Sequence, residues 1–107
     1  MSFDVERVSD ELIAALQPLL PRIRRRDRAL AVQLSRAASS IALNVSEANY
    51  SDPGNKRARF FTAAGSANET RAALRVGQAW GYLNNKDAQK PLELLDRIIA
   101  MLWKLSH

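Results

Sequence analysis

Between residues 30 and 48 the apolar side chains Leu30, Leu34, Ala37, Ile41, Val45 and Ala48 recur three and four positions apart, and Ser40, Asn44 and Glu47 interrupt the stretch at the same spacing. Residues three and four apart share one face of a helix, so the segment carries a core face with a polar row beside it. A second run, Gly65-Ser66-Ala67-Asn68-Glu69, repeats the device. Polar groups set among small residues need a hydrogen-bonding partner once water is excluded. The spacing therefore predicts two helices facing each other across a polar layer of Ser40, Asn44, Glu47, Ser66 and Glu69, with Arg36 or Arg71 neutralising the carboxylates.

The rest of the chain reads as helix on either side of that pair. Val5, Val8, Leu12, Leu16 and Leu19 recur at helical spacing, and Pro18 and Pro21 then remove backbone donors, which predicts a first helix over about 4–20 with a kink or stop between about 17 and 23. Asp27 is a suitable N-cap for a second helix over about 28–49, where Ala29, Ala31, Ala38 and Ala42 add helix propensity. The turn-rich stretch Asn49-Tyr-Ser-Asp-Pro-Gly-Asn55 places Ser or Asp just before a proline, and so opens a third helix over about 53–83, with Asn84-Asn85 as its stop. A fourth spans about 87–106. Pro91 suits a first turn, which makes Lys86 to Lys90 either a capping turn or an early, kinked turn. No β-branched run and no alternating segment argues for a strand.

Four helices in 107 residues with short connections predict one all-α domain, an antiparallel up-and-down four-helix bundle. The last helix has two apolar rows, Leu92, Leu95, Ile99, Leu102 with Trp103, and Leu94, Ile98, Met101, Leu105, which together exceed half its circumference. One side of a bundle monomer cannot cover so wide a face, and this points to subunit contacts.

Charge supplies the functional signal. The net charge is +5, but residues 1–20 carry −3, residues 21–86 carry +8 and residues 87–107 are balanced. Arg22, Arg24, Arg25, Arg26 and Arg28 fall within seven positions opposed only by Asp27, and Lys56, Arg57 and Arg59 form a second cluster. Such clusters attract a phosphate backbone, although solvated helix ends produce charge runs too.

Several activities find no support. With no cysteine, disulfides and thiolate metal sites are excluded. Di-metal bundles combine glutamates with Glu-x-x-His pairs, whereas the sole histidine here is His107, so no metal and no cofactor is expected. Gly54, Gly65, Gly77 and Gly81 are scattered rather than gathered into a phosphate loop, and the serines lack a base, so the chain does not read as an enzyme. Trp80, Tyr82 and Trp103 read as packing or interface residues rather than as a base-stacking platform. No apolar run reaches the roughly 18 residues of a membrane span, and a cytoplasmic location with no membrane partner is the expectation.

Ser40-Ile-Ala-Leu-Asn-Val-Ser-Glu47, preceded by Gln33-Leu-Ser-Arg-Ala-Ala38 and followed by Phe60-Phe-Thr-Ala-Ala-Gly-Ser-Ala-Asn-Glu69, resembles the signature of a bacterial family. That family comprises the four-helix-bundle proteins encoded in intervening sequences of large-subunit ribosomal RNA genes and the accessory variability determinant proteins of diversity-generating retroelements. The likeness covers about residues 8–105. It departs at one point, since Ala48 and Asn49 follow Glu47 where the family usually has glycine. The resemblance implies a ring-like homopentamer with a basic surface, and in the retroelement branch a cofactor that binds the reverse transcriptase and nucleic acid.

Two functions fit these residues. One is a non-enzymatic basic oligomeric scaffold that uses Arg22, Arg24, Arg25, Arg26, Arg28, Lys56, Arg57 and Arg59 on the phosphates of RNA or DNA without reading sequence. The other is a protein-binding adaptor whose arginines meet an acidic partner.

Overall fold

The structure, a computed structural model, describes residues 3–107 as five helices: α1 (Phe3–Leu16), α2 (Leu20–Arg26), α3 (Arg28–Asn49), α4 (Pro53–Ala79) and α5 (Asn85–Ser106). No strand is present among the described residues. The long helices pack as a closed circuit in which α3 lies on α4, α4 on α5, α5 on α1 and α1 on α3, and the short α2 covers α3. The result is a helical bundle of 42 × 22 × 19 Å.

The first expected helix is two. Pro18 and Pro21 remove two donors three residues apart, and in a continuous helix their rings would crowd the carbonyls of Ala14 and Gln17. α1 therefore stops at Leu16, the Leu19 N–H reaches the Leu16 carbonyl in a tight turn of 2.9 Å, and Pro21 is housed in the first turn of α2 where no N–H is missed. This extra helix turns the expected four into five.

The other boundaries follow from caps. Asp27 accepts from the Leu30 N–H at 3.0 Å and opens α3, and Asp52 accepts from the Asn55 N–H at 3.0 Å to open α4 just before Pro53. α4 ends at Ala79, four residues short of the expected 83, because Gly81 adopts φ +79°. The Gly81 and Tyr82 N–H groups then satisfy the carbonyls of Gln78 and Gly77 at 3.0 and 2.8 Å, and the buried Leu83 packs over Gly77. Asn84 is consequently a start rather than a stop. Its side chain accepts from the Asp87 N–H at 2.7 Å while Asp87 returns a bond to the Asn84 N–H, a capping box that places α5 two residues earlier than expected. Pro91 thereby falls inside α5, where it is buried.

The core is aliphatic, as the periodicity requires. Val5, Val8, Leu12 and Leu16 of α1 meet Leu34, Ile41 and Val45 of α3, Phe60, Ala67 and Leu74 of α4, and Leu94, Leu95, Ile98 and Leu102 of α5. Each large side chain taken from water contributes about 1.5–3 kcal/mol. Both apolar rows of α5 are largely absorbed by this core, and Trp103 and Leu105 are what remain exposed.

Candidate nucleic-acid interface

The polar row of α3 meets α4 where the spacing places it. Ser40 Oγ and Ser66 Oγ are 2.8 Å apart, and Asn44 Nδ2 donates to the Ser40 carbonyl at 2.9 Å and to its hydroxyl at 3.1 Å. Ser66 is buried, while Ser40 and Asn44 are half-buried at the seam. One helical turn on, the Thr70 hydroxyl donates to the Ser66 carbonyl at 2.8 Å. This is a closed hydrogen-bonded register between two helices.

The carboxylates lie outside that layer. Glu47 and Glu69 are exposed, so neither needs burial compensation. Glu47 pairs with Arg59 at 2.8 Å, and Arg59 also donates to Asn44 Oδ1 at 3.4 Å. Neither Arg36 nor Arg71 takes the expected part. Arg71 reaches Asp96 at 3.5 Å and Asn68 at 3.1 Å, and Arg36 lines an open groove of about 840 Å³ on α3 together with Arg28, Val32, Ser40 and Glu69. Among the described residues no group of three His, Asp or Glu side chains lies close enough to hold a metal ion.

The two basic clusters occupy opposite ends of the bundle. Arg22 to Arg28 span α2 and the first residue of α3, whereas Lys56, Arg57 and Arg59 fall in the first two turns of α4, at the far end of α3. α3 has 22 residues and is therefore about 33 Å long. One protomer cannot join both clusters into a single patch.

Within the arginine end the five guanidinium groups have different tasks. Arg22 is bonded to Asp87 at 2.8 Å, a contact that raises the arginine and holds the Asp87 carboxyl below the ordinary aspartate range, with the Asn84 N–H adding to the effect. Arg26 lies 5.3 Å over the ring of Tyr82, whose hydroxyl reaches Asp27 Oδ2 at 3.4 Å. Tyr82 in turn stacks on Trp80, with centroids 6.4 Å apart and planes inclined by 15°. Arg24, Arg25 and Arg28 are exposed and form no ion pair among the described residues.

The fold adds residues that the sequence did not single out. The turn after Gly81 returns α5 to the arginine end, bringing Asp87 to Arg22 and setting Lys86 close enough to Asp87 to lower its affinity for a proton. The Asn84-x-x-Asp87 capping pattern is the signal that would have located this second helix start. At the opposite end Asn49 Nδ2 donates to Glu6 at 2.9 Å and ties α3 to α1, while Lys56 and Arg57 carry no ion pair among the described residues.

The model of the 23S rRNA-intervening sequence protein family matches residues 5–104 of this chain. The bundle is also similar to the crystal structure of a protein of unknown function from the S23 ribosomal protein family of Bacteroides thetaiotaomicron, with a TM-score of 0.88 at 19% identity over 95% of this chain and 97% of that one. At that identity the likeness concerns the fold. No curated protein matches the chain. Among the described residues no helix is long and apolar enough to cross a membrane. With the family pattern running through nearly the whole bundle, this chain belongs to the 23S rRNA-intervening sequence protein family.

Proposed function

We propose that the protein is a non-enzymatic, basic oligomeric scaffold that binds nucleic acid through its phosphates and does not read base sequence. The observation that carries this reading is the group of Arg24, Arg25 and Arg28, exposed at one end of the bundle without a carboxylate partner among the described residues. Charges that are already paired offer little to an incoming phosphate, whereas unpaired guanidinium groups retain their donors for it. Arg22 and Arg26 are held in place by Asp87 and Tyr82 and extend the positive field around that group. Lys56 and Arg57 form a smaller site at the opposite end, and Arg59 is committed to Glu47.

Assembly into a homo-oligomer, with a pentameric ring favoured, would repeat the weak patch and raise avidity without new contacts. Exposed Leu43, Phe61 and Trp103 support such contacts, being large apolar side chains left uncovered on three helices. In a retroelement setting the same end would serve the nucleic acid handled by a reverse transcriptase. Titration of mixed-sequence RNA and DNA with the full chain at low salt tests the reading. Binding of unrelated sequences with similar affinity is expected, and absence of binding to every sequence would refute it.

A further inference from the structure

The arginine end carries an aromatic surface as well as charge. Trp80 is 66% exposed at the last turn of α4, an unusual position for the largest apolar side chain in a helix-terminating motif. It is not loose: the Schellman-type closure at Gly81 fixes the backbone on its C-terminal side, and Tyr82 is stacked against its ring. Tyr82 is itself held from two directions, by the Arg26 guanidinium over its face and by its hydroxyl at Asp27. Arg26, Tyr82 and Trp80 thus form an ordered series of flat groups that begins among the arginines and ends on a ring open to solvent.

We infer that Trp80 is a stacking platform for an unpaired base, and that the arginine end takes single-stranded nucleic acid in preference to a duplex. The inference rests on the phosphate-binding reading above. In a duplex the base faces are covered by their neighbours, so an exposed indole gains nothing from them. In a single strand every base has an open π-face, and stacking on an aromatic side chain beside cationic contacts to the backbone is tolerant of sequence. Charge complementarity selects the occupant: Arg26, which lies over Tyr82, belongs to the same short segment as the exposed Arg24, Arg25 and Arg28, and this run suits a polyanion, while a purely apolar partner would leave it uncompensated. The two carboxylates at this end do not oppose a strand strongly, since Asp27 caps α3 and Asp87 is bonded to Arg22. The platform also accounts for an exposed tryptophan that contributes nothing to the core.

The test compares a fluorescein-labelled homopyrimidine strand with a blunt duplex of the same length, using the full-length protein and its Trp80→Ala and Trp80→Tyr variants, with melting temperature as the check on folding. Single-strand affinity is expected to fall at least about fivefold in Trp80→Ala, to be restored in Trp80→Tyr, and duplex affinity to stay unchanged in both. In a Trp103→Phe background whose sedimentation and single-strand affinity match those of the unmodified protein, single strand should quench the remaining Trp80 emission and duplex should not. Equal affinity of the unmodified protein for strand and duplex, or an equal loss of both in Trp80→Ala, would overturn the stacking role and leave phosphate binding standing. No binding of either probe would overturn both readings together.

Discussion

The Arg59 guanidinium lies 2.8 Å from the Glu47 carboxylate, and the pair bridges the end of α3 to the second turn of α4. Both side chains are about half exposed, so solvent screens the attraction and the pair contributes no more than about 1 kcal/mol. Arg59→Ala is therefore expected to lower stability by less than that amount in urea denaturation and to leave nucleic-acid affinity within experimental error. A large loss of affinity in this variant would show that Arg59 belongs with the phosphate-binding arginines instead.

Deeper in the same seam, the Ser40–Ser66 contact of 2.8 Å is half-buried and better protected. Removing either hydroxyl should cost about 1 kcal/mol, with Ser40 the more disruptive loss because Asn44 also donates to it. The double variant Ser40→Ala/Ser66→Ala should cost less than the sum of the singles, since each hydroxyl's value depends on the other. Strict additivity in a double-mutant cycle would mean that the layer does not act as a unit.

The fold was largely present in the apolar spacing and in the caps. Asp27 and the Asp52-Pro53 pair sit at the starts of α3 and α4 as read from the sequence, because N-capping is a local transaction between a side chain and an N–H three residues on. The misplaced elements have local causes too. Pro18 and Pro21 break the first helix in the stretch expected of them but let the chain resume as the unforeseen short α2, and a single glycine in the left-handed region ends α4 before Asn84. The site was less accessible. Ser40, Asn44 and Ser66 come together across two helices at positions that helical spacing predicts, but which arginine serves Glu47 depends on how α4 is rotated and translated against α3. Likewise nothing local to Arg26 or Tyr82 reveals that a turn 56 residues later folds one ring under the other's guanidinium; only the closed circuit of helices does that.

Acid should loosen the structure through its aspartates. The Arg22 hydrogen bond lowers the Asp87 carboxyl first of all, and the Asn55 N–H does the same for Asp52, so both bind protons more weakly folded than unfolded. Groups with a depressed folded value stabilise the native state above the ordinary aspartate range near pH 4 and lose that contribution as pH falls through the folded value. Melting temperature should be flat from neutrality to about pH 5 and decline below it, and Asp87→Asn should reduce the decline. A melting temperature that rises on acidification would contradict the assignment.

Self-association makes its own prediction. Phe61 and Trp103 are 67% and 61% exposed and line one cleft with Ala64, Gly65 and Ile99 between α4 and α5. Sedimentation should give a species heavier than the 11.9 kDa chain at micromolar concentration, and Phe61→Glu with Trp103→Glu should shift it toward the monomer. A monomer that the double variant leaves unchanged would remove the oligomer from the account.

The most direct test is the salt dependence of nucleic-acid binding in the native chain and in the triple variant Arg24→Ala/Arg25→Ala/Arg28→Ala. Each phosphate neutralised adds about 0.7–0.9 to the slope of log affinity against log salt, so the triple variant should bind more weakly between about 50 and 200 mM salt and lose roughly two units of slope. An unchanged slope, with affinity unchanged, would contradict the claim that these three arginines hold the phosphates.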